Sequence, residues 1–247
     1  MKKLYIQHYY FQNACNCHAI GFVILNNQQY PDLLMATNTC LSLPATLNLR
    51  RKINNLTRSS ITDQSQAQSA SQTAKRHLLR LISDQDRGLR TQSDPQKLSQ
   101  IIEAVDSLAA IGKDTVTTGE SLSATWRMLW TTEKEQLFII KNASILGTAA
   151  GDVLQVIDVE KKSLNNVITF PPDGVFVVRS DIQIASAQRV NFQFTSAVLR
   201  GKGWEFPLPP FGKGWFETVY IDDEIRVVKD IREDYLVVER APYSWTE

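Results

Sequence analysis

Three consecutive carboxylates, Asp222, Asp223 and Glu224, are the side chains of this sequence that come closest to a catalytic or metal-binding cluster. They stand between a strand-like aromatic segment, 215–221, and an apolar segment, 225–229. Neighbouring side chains of an extended chain point to opposite faces, so only Asp222 and Glu224 can converge. Two carboxylates hold a hard cation only with additional oxygen ligands, and the sequence offers none nearby. We interpret them as solvated or salt-bridged turn residues, with a metal or acid/base site as the alternative.

Other residues with catalytic potential are scarce. Cys15, Cys17 and Cys40 all lie near the N-terminus, and a lone Cys-x-Cys pair lacks the second half of a metal site. His77 falls on the apolar face of a predicted helix, which is typical of a core histidine rather than of a base. Nucleophile-elbow, Walker and dinucleotide motifs are absent from the sequence. We predict no enzyme, no cofactor and no metal; an enzyme that uses carboxylates of its sheet is the alternative.

The N-terminal region has the composition of a targeting segment. Its first 62 residues carry six Lys or Arg but one acid, Asp32. An acid-poor segment with Arg and Ser is typical of an organelle transit peptide; a disordered tail, a secretory signal and a faulty gene start are the alternatives. The polar segment 59–73 indicates a disordered linker or the end of this leader.

Charge and hydropathy limit which kinds of partner, nucleic acid or membrane, this protein is expected to have. The formal net charge of +1 gives no support to nucleic acid as a partner. The longest apolar stretch of the leader, 19–25, is far short of the roughly 20 residues that a spanning helix needs. We therefore predict no transmembrane segment, although peripheral contact with a membrane remains open.

Two amphipathic helices are predicted between residues 74 and 112. The first ends at Gly88 and has His77, Leu78, Leu81 and Ile82 on one face. The second has Ser93 or Asp94 as its cap, Pro95 in its first turn and Gly112 at its stop. We assign its apolar stripe to core packing, with a membrane-facing amphipathic helix as the alternative. The stripe consists of Leu98, Ile101, Ile102, Val105 and Leu108.

From residue 122 the apolar residues recur with period two, which predicts strands with one buried face. Short strands of this kind, about eight over roughly 120 residues, indicate a closed or nearly closed antiparallel sheet, and a barrel of that size can hold one small ligand. Apolar residues that share a face are, strand by strand, Trp126, Met128 and Trp130; Phe176, Val178, Ile182 and Ile184; and Val190, Phe192, Phe194 and Val198.

The order of several short segments resembles the plastid lipid-associated proteins, also called plastid fibrillins. LLRLISDQDRGL and IIEAVDSL are similar to the two helices of that family, SATWRMLWTT to its entry strand, and PLPPFGKGWFETVYIDDEIRVVKD and LVVER to its closing strands. Ala124 stands where the family usually has Gly, and Trp130 where Tyr is common. The resemblance covers roughly residues 75–243, with Tyr220, Asp222, Asp223 and Arg226 on matching positions.

This resemblance implies a mainly β fold with N-terminal helices: a lipocalin-like antiparallel β-barrel preceded by two amphipathic helices and a disordered leader. It implies a transit peptide and linker over 1–70 and a fibrillin domain over 74–243, with helices in 74–112 and the barrel in 120–241. It also implies a chloroplast protein of plastoglobules or thylakoids. The expected partner is a lipid surface or a lipophilic molecule of the prenylquinone, carotenoid or fatty acyl type.

The expected ligand-binding residues are those that would line such a barrel. The alternative is a filled interior, which would suit a structural coat or adaptor of lipid droplets without a ligand. The predicted lining consists of Trp126, Met128, Trp130, Phe176, Val178, Phe192, Phe194 and Tyr220.

Two further features concern the polar end of a ligand and the entrance. Arg179 or Arg189 would meet a head group if the assignment of faces were shifted by one residue; otherwise both face solvent. The loop 207–214, with Phe211 and Trp215 near it, would form a mouth or contact a lipid surface, with turn packing as the alternative.

Overall fold

The computed structural model describes residues 56–209 and 212–247. Residues 1–55 of the predicted transit peptide and linker lie outside this part of the chain, and so do the three cysteines and Phe211. Within the described residues, no helix combines the length and the apolar content that crossing a membrane requires.

The described chain is mainly β, as predicted, with three α-helices and nine strands. The helices are α1 (Leu56–Ile82), α2 (Pro95–Gly112) and α3 (Lys134–Lys141). The strands are β1 (Ala124–Thr131), β2 (Val153–Asp158), β3 (Ser163–Phe170), β4 (Gly174–Ile184), β5 (Arg189–Gly201), β6 (Trp204–Leu208), β7 (Lys213–Ile221), β8 (Ile225–Asp230) and β9 (Tyr235–Arg240).

All strands form one antiparallel sheet, which closes on itself. The strand order is β4-β3-β2-β1-β9-β8-β7-β5-β6, and an additional pairing of β4 with β5 joins the ends. Every strand except β6 belongs to this ring. β5 is long enough to pair with β7 through residues 189–193 and with β6 through residues 197–201. Closure gives the ring strands hydrogen-bonded neighbours on both sides.

The inner face of the ring holds the largest apolar cluster. Its members come from alternate positions of the strands, for example Trp126 and Met128 of β1 and Val228 of β8. α3 contributes Ile140 to the same cluster and so covers one end of the ring. The interior is therefore an apolar compartment with α3 at one end.

A second cluster lies on the outer face of the ring beneath α1 and α2. Leu78 of α1 and Ile101 and Leu108 of α2 pack there against Ile225 and Val227 of β8. The segment 59–73, predicted as a disordered linker or the end of the leader, forms part of α1, and this helix ends at Ile82 rather than at Gly88. His77 is exposed on α1, so the expectation that it sits on the apolar face is wrong.

The end of α2 approaches the ring backbone closely. A Cβ atom at Gly112 would lie 2.1 Å from the carbonyl oxygen of Val219 in β7, so only glycine fits there. At the other end of α2, the carboxylate of Asp94 accepts a hydrogen bond from the backbone N–H of Lys97. This is N-capping of the kind that an Asp-Pro start favours.

Candidate functional site

A cavity of about 420 Å³ occupies the α3 end of the ring interior. Its volume falls within the range of small-molecule sites. α3 and the residue before it supply Glu133, Glu135, Gln136, Phe138 and Ile139 to its edge. The walls are largely apolar and come from alternate positions of the strands: Val153, Leu164, Ile168, Phe176, Val178, Phe192, Phe194, Phe216, Val228 and Leu236.

Four of the eight residues predicted to line a barrel lie together at this cavity: Phe176, Val178, Phe192 and Phe194. The rings of Phe192 and Phe194 are 5.2 Å apart between centroids and tilted by 35°. Both side chains are half-buried although they face the interior. These aromatic walls present an apolar surface to whatever occupies the cavity.

Trp126 and Met128 point inward but do not line the cavity. Both are buried in the interior cluster. The indole N–H of Trp126 donates to the carbonyl of Leu122 at 2.9 Å, which fixes the ring near the start of β1. Side chains fill this part of the interior, whereas the part beside α3 contains the cavity. The filled interior and the open barrel, which were alternatives, are therefore each found in one part of the ring.

Trp130 and Tyr220 lie on the opposite face, under the helices. The pairing of β1 with β9 shifts register between Met128 and Trp130, and that of β7 with β8 shifts between Thr218 and Tyr220. A β-bulge inserts one residue, so the side chains beyond it exchange faces. The period-two pattern put Trp130 on the inner face, and Tyr220 was expected to line the barrel that the resemblance implies. Neither source contains a sign of the bulge.

The same effect moves Val198, which was expected beside Phe194. The β4–β5 pairing shifts register after Arg179, which pairs with Ser196, while Ser180 pairs with Phe194. As a result Ala197 faces the interior. Val198 instead joins a small outer cluster with Val177.

A line of polar side chains crosses the interior at the inner end of the cavity. Arg226 of β8 donates through Nη2 to Oε1 of Gln155 on β2. Gln155 in turn donates through Nε2 to Oδ1 of Asn166 on β3, at 3.1 Å. Gln155 and Asn166 both line the cavity. The cavity thus has apolar walls and a polar floor.

Arg226 is fully buried, with 0% exposure. Its guanidinium carbon lies 5.4 Å from the ring centroid of Trp126 and 5.5 Å from that of Phe216. No described protein group accepts a hydrogen bond from its Nε or Nη1. Burial lowers the pKa of Arg226 to about 9, so the group still carries its charge at neutral pH.

Sequence reasoning missed Arg226, Gln155 and Asn166 as site residues. It considered Arg179 and Arg189 instead, and both are engaged outside the cavity. Arg179 pairs with Glu247, and Arg189 pairs with Glu217 at 2.8 Å. The sequence signal that could have identified Arg226 is its position in the apolar segment of β8. Both faces of such a strand are buried, so an arginine within it must lie in a core.

A group of charged residues borders the mouth of the cavity. Arg232, in the β8–β9 turn, donates to Glu135 of α3 at 2.6 Å and so connects the two edges. Beside them, burial and then the nearby carboxylate of Asp230 raise the pKa of Glu133 to about 7, against a hydrogen bond from Gln136. Trp215, predicted near a mouth, lies instead beneath Arg189, 4.0 Å from its guanidinium carbon.

The carboxylates 222–224 form a salt-bridged turn on the outside of the ring. Asp222 accepts hydrogen bonds from the backbone N–H groups of Glu224 and Ile225. Asp222 and Glu224 both bind Lys75 of α1. Within the described residues, no three His, Cys, Asp or Glu side chains converge as metal ligands. The interpretation as salt-bridged turn acids is confirmed.

Comparison with known proteins gives this architecture a family. The PAP_fibrillin family model matches residues 72–239. The chain belongs to the PAP_fibrillin family. It is similar to the Arabidopsis thaliana protein named "Probable plastid-lipid-associated protein 11, chloroplastic", with 73% identity over 176 residues that cover 71% of this chain and 83% of the relative. No solved structure matches the chain significantly.

Membership of the PAP_fibrillin family confirms the resemblance drawn from the short segments and the chloroplast localisation predicted with it. PAP_fibrillin proteins are plastid lipid-associated proteins. The family match also includes Arg226 and all the residues that line the cavity, which lie within residues 72–239.

Proposed function

We propose that this PAP_fibrillin protein is a non-enzymatic lipid-binding protein that holds one small lipophilic molecule inside a lipocalin-like barrel. The observation that carries the proposal is the cavity of about 420 Å³ with its phenylalanine walls. Burial of apolar surface contributes about 25 cal/mol per Å², so a hydrocarbon tail enclosed there gains several kcal/mol before ordering costs.

The position of the cavity supports this role. It opens beside α3 and the β8–β9 turn, so a ligand can enter without unpairing strands of the ring. A fatty acyl chain, a prenyl chain or part of a carotenoid would all find apolar contact there. We place this activity at plastoglobules or thylakoids, where such molecules are stored or used.

The direct test measures binding of N-phenyl-1-naphthylamine, a neutral apolar dye, to the recombinant protein. Val178→Trp fills the cavity and should abolish dye binding. Gln183→Trp puts the same side chain at an exposed position of the same strand and should leave dye binding intact. Equal binding by both variants, or no binding by the wild type, would refute ligand binding in the cavity.

Contact with a lipid surface is a second candidate function, which the β5–β6 hairpin favours. Leu208 and Phe206 of β6 pair with Ala197 and Leu199 of β5, which belong to the interior cluster. The same face continues to Trp204 at the hairpin tip. Trp204 and Phe206 are 50% and 52% exposed. Aromatic side chains so placed at the mouth end suit insertion into a lipid interface.

A further inference from the structure

The alternation of β8 directs a cation into the ring. Ile225 and Val227 pack outward against the helices, while Val228 belongs to the interior cluster. Arg226 shares the face of Val228 and reaches across the interior to Gln155 on β2. The alternation of the strand therefore places the Arg226 side chain in the interior, and the side chain has not turned inward from the surface.

This cation has no counterion among the described residues. No described carboxylate lies within ion-pair distance of Arg226, in contrast to Arg127, Arg179 and Arg189, which all have one. The single hydrogen of Nε and both hydrogens of Nη1 lack a protein acceptor. A buried charge without a counterion destabilises the folded protein, and a hydrophobic residue in its place would be less costly. An acceptor that arrives with a ligand would offset that cost.

The guanidinium lies directly behind the cavity wall. Gln155, which accepts from it, and Phe216, which packs against it at 5.5 Å, both line the cavity. The amide nitrogen of Gln155 is engaged with Asn166, and the unpaired donors that carry a positive charge are Nε and Nη1 of Arg226, behind the floor. Above the floor the walls are apolar and suit a hydrocarbon chain.

The two ends of the cavity differ in charge. Glu133, Glu135 and Asp230 border the mouth, where the basic side chain on the cavity edge is Arg232, already bound to Glu135. An anionic head group at the mouth would meet this group of carboxylates. At the floor it would meet an uncompensated cation. This distribution of charge favours a ligand whose anionic head group lies at Arg226 and whose tail points towards the mouth.

We propose that Arg226, held in place by its hydrogen bond to Gln155, binds the carboxylate of a single-chain fatty acid whose tail lies between the phenylalanine walls. This rests on the proposed lipophile binding and specifies its ligand class. A carboxylate is an acceptor-only group and forms strong charge-assisted hydrogen bonds with a guanidinium. An ester, an alcohol or a quinone of similar size supplies no negative charge to offset that of Arg226.

The test compares three ligands that share one C16 chain: palmitate, methyl palmitate and 1-hexadecanol. Each displaces N-phenyl-1-naphthylamine from the full chain below its aggregation limit. We expect palmitate to bind at least about tenfold more tightly than the other two, which corresponds to about 1.4 kcal/mol. Equal affinities would overturn the fatty-acid inference and leave lipophile binding intact. Failure of all three to displace the dye would refute the proposed function itself.

Three single variants test whether the preference for palmitate depends on Arg226. Arg226→Met should remove the preference for palmitate. Arg179→Met removes an outward-facing arginine of the same ring and should keep it. Gln155→Leu, which removes the acceptor that holds the guanidinium of Arg226, should reduce the preference and provides a second variant if Arg226→Met does not fold. Retention of the full preference in Arg226→Met would overturn the role of Arg226.

Discussion

Lys75 Nζ lies 2.8 Å from Asp222 Oδ2, and this ion pair joins α1 to the β7–β8 turn. The carboxylate of Asp222 also accepts from the hydroxyl of Tyr220 at 2.9 Å. Burial opposes the charge on Lys75, but its hydrogen bonds to Asp222 and Glu224 outweigh it and raise its pKa. The carboxylates that looked like a reactive cluster thus hold a helix onto the ring.

Loss of this ion pair should weaken the docking of α1. Lys75 is 3% exposed, so Lys75→Met leaves Asp222 without its cation at a partly buried position. We expect the free energy of unfolding to fall by about 2 kcal/mol, measured by urea denaturation. Lys161→Met, which removes an exposed lysine paired with Asp158, should change it far less. A loss of similar size in both variants would contradict the docking role.

Gly112 should be intolerant of a side chain. Gly112→Ala brings a Cβ to within 2.1 Å of the Val219 carbonyl, so α2 must move from β7. We expect a loss of roughly 2 kcal/mol in the free energy of unfolding, as for other overpacked contacts. Gly119→Ala is the control, because a Cβ there meets nothing within 4 Å and its φ of −81° suits any residue. Equal effects at both glycines would argue against the close contact.

Glu133 should make stability depend on pH. Its pKa is about 7 in the folded protein, above the ordinary 4.5, so folding favours the protonated carboxyl. The resulting stabilisation is present in full below pH 4.5 and is lost as the pH rises through 7. Glu133→Gln should therefore raise Tm relative to the wild type at pH 8, by a margin that shrinks towards pH 5.

Thermal denaturation at several pH values between 5 and 8 measures this margin. Glu103→Gln, on the exposed side of α2, is the matched control and should show no such trend. A difference between Glu133→Gln and the wild type that stays constant over the range would exclude the titration of Glu133 as its cause.

The Glu135–Arg232 ion pair should control ligand exchange more than stability. It bridges α3 and the β8–β9 turn at the mouth, and Arg232 is 41% exposed. Exposed pairs contribute about 1 kcal/mol or less to stability. We expect Glu135→Gln to speed the release of N-phenyl-1-naphthylamine in stopped-flow experiments without a large change in urea midpoint.

Glu233→Gln alters an exposed acid of the same turn, 4.0 Å from Lys229, and should leave the release rate as it is. If both variants release the dye at the wild-type rate, the ion pair does not gate the cavity.

The β5–β6 hairpin should mediate contact with a lipid surface. Trp204→Ser with Phe206→Ser removes the two exposed aromatics of its tip. We expect at least a tenfold weaker association with galactolipid vesicles in a flotation assay, since each aromatic contributes more than about 1 kcal/mol when buried. Val116→Ser changes a residue that is 70% exposed elsewhere and should not matter. Undiminished flotation of the double variant would rule the hairpin out.

Much of the fold could be predicted because its signals are local. The period-two alternation located β4 and β5. Asp94, Pro95 and Gly112 gave the limits of α2. The closed sheet followed from the number of half-buried strands. Each of these depends on residues that are neighbours in the chain.

The sequence by itself determined the mainly β character, the family and the apolar walls at Phe176, Val178, Phe192 and Phe194. Only the tertiary structure decided which face Trp130 and Tyr220 occupy, because a bulge depends on the partner strand as well as on the strand that carries it. It also decided that Arg226 meets Gln155, 71 residues away. Strands that are distant in sequence bring these side chains together inside the closed ring. A local sequence pattern cannot predict the register in which such strands pair.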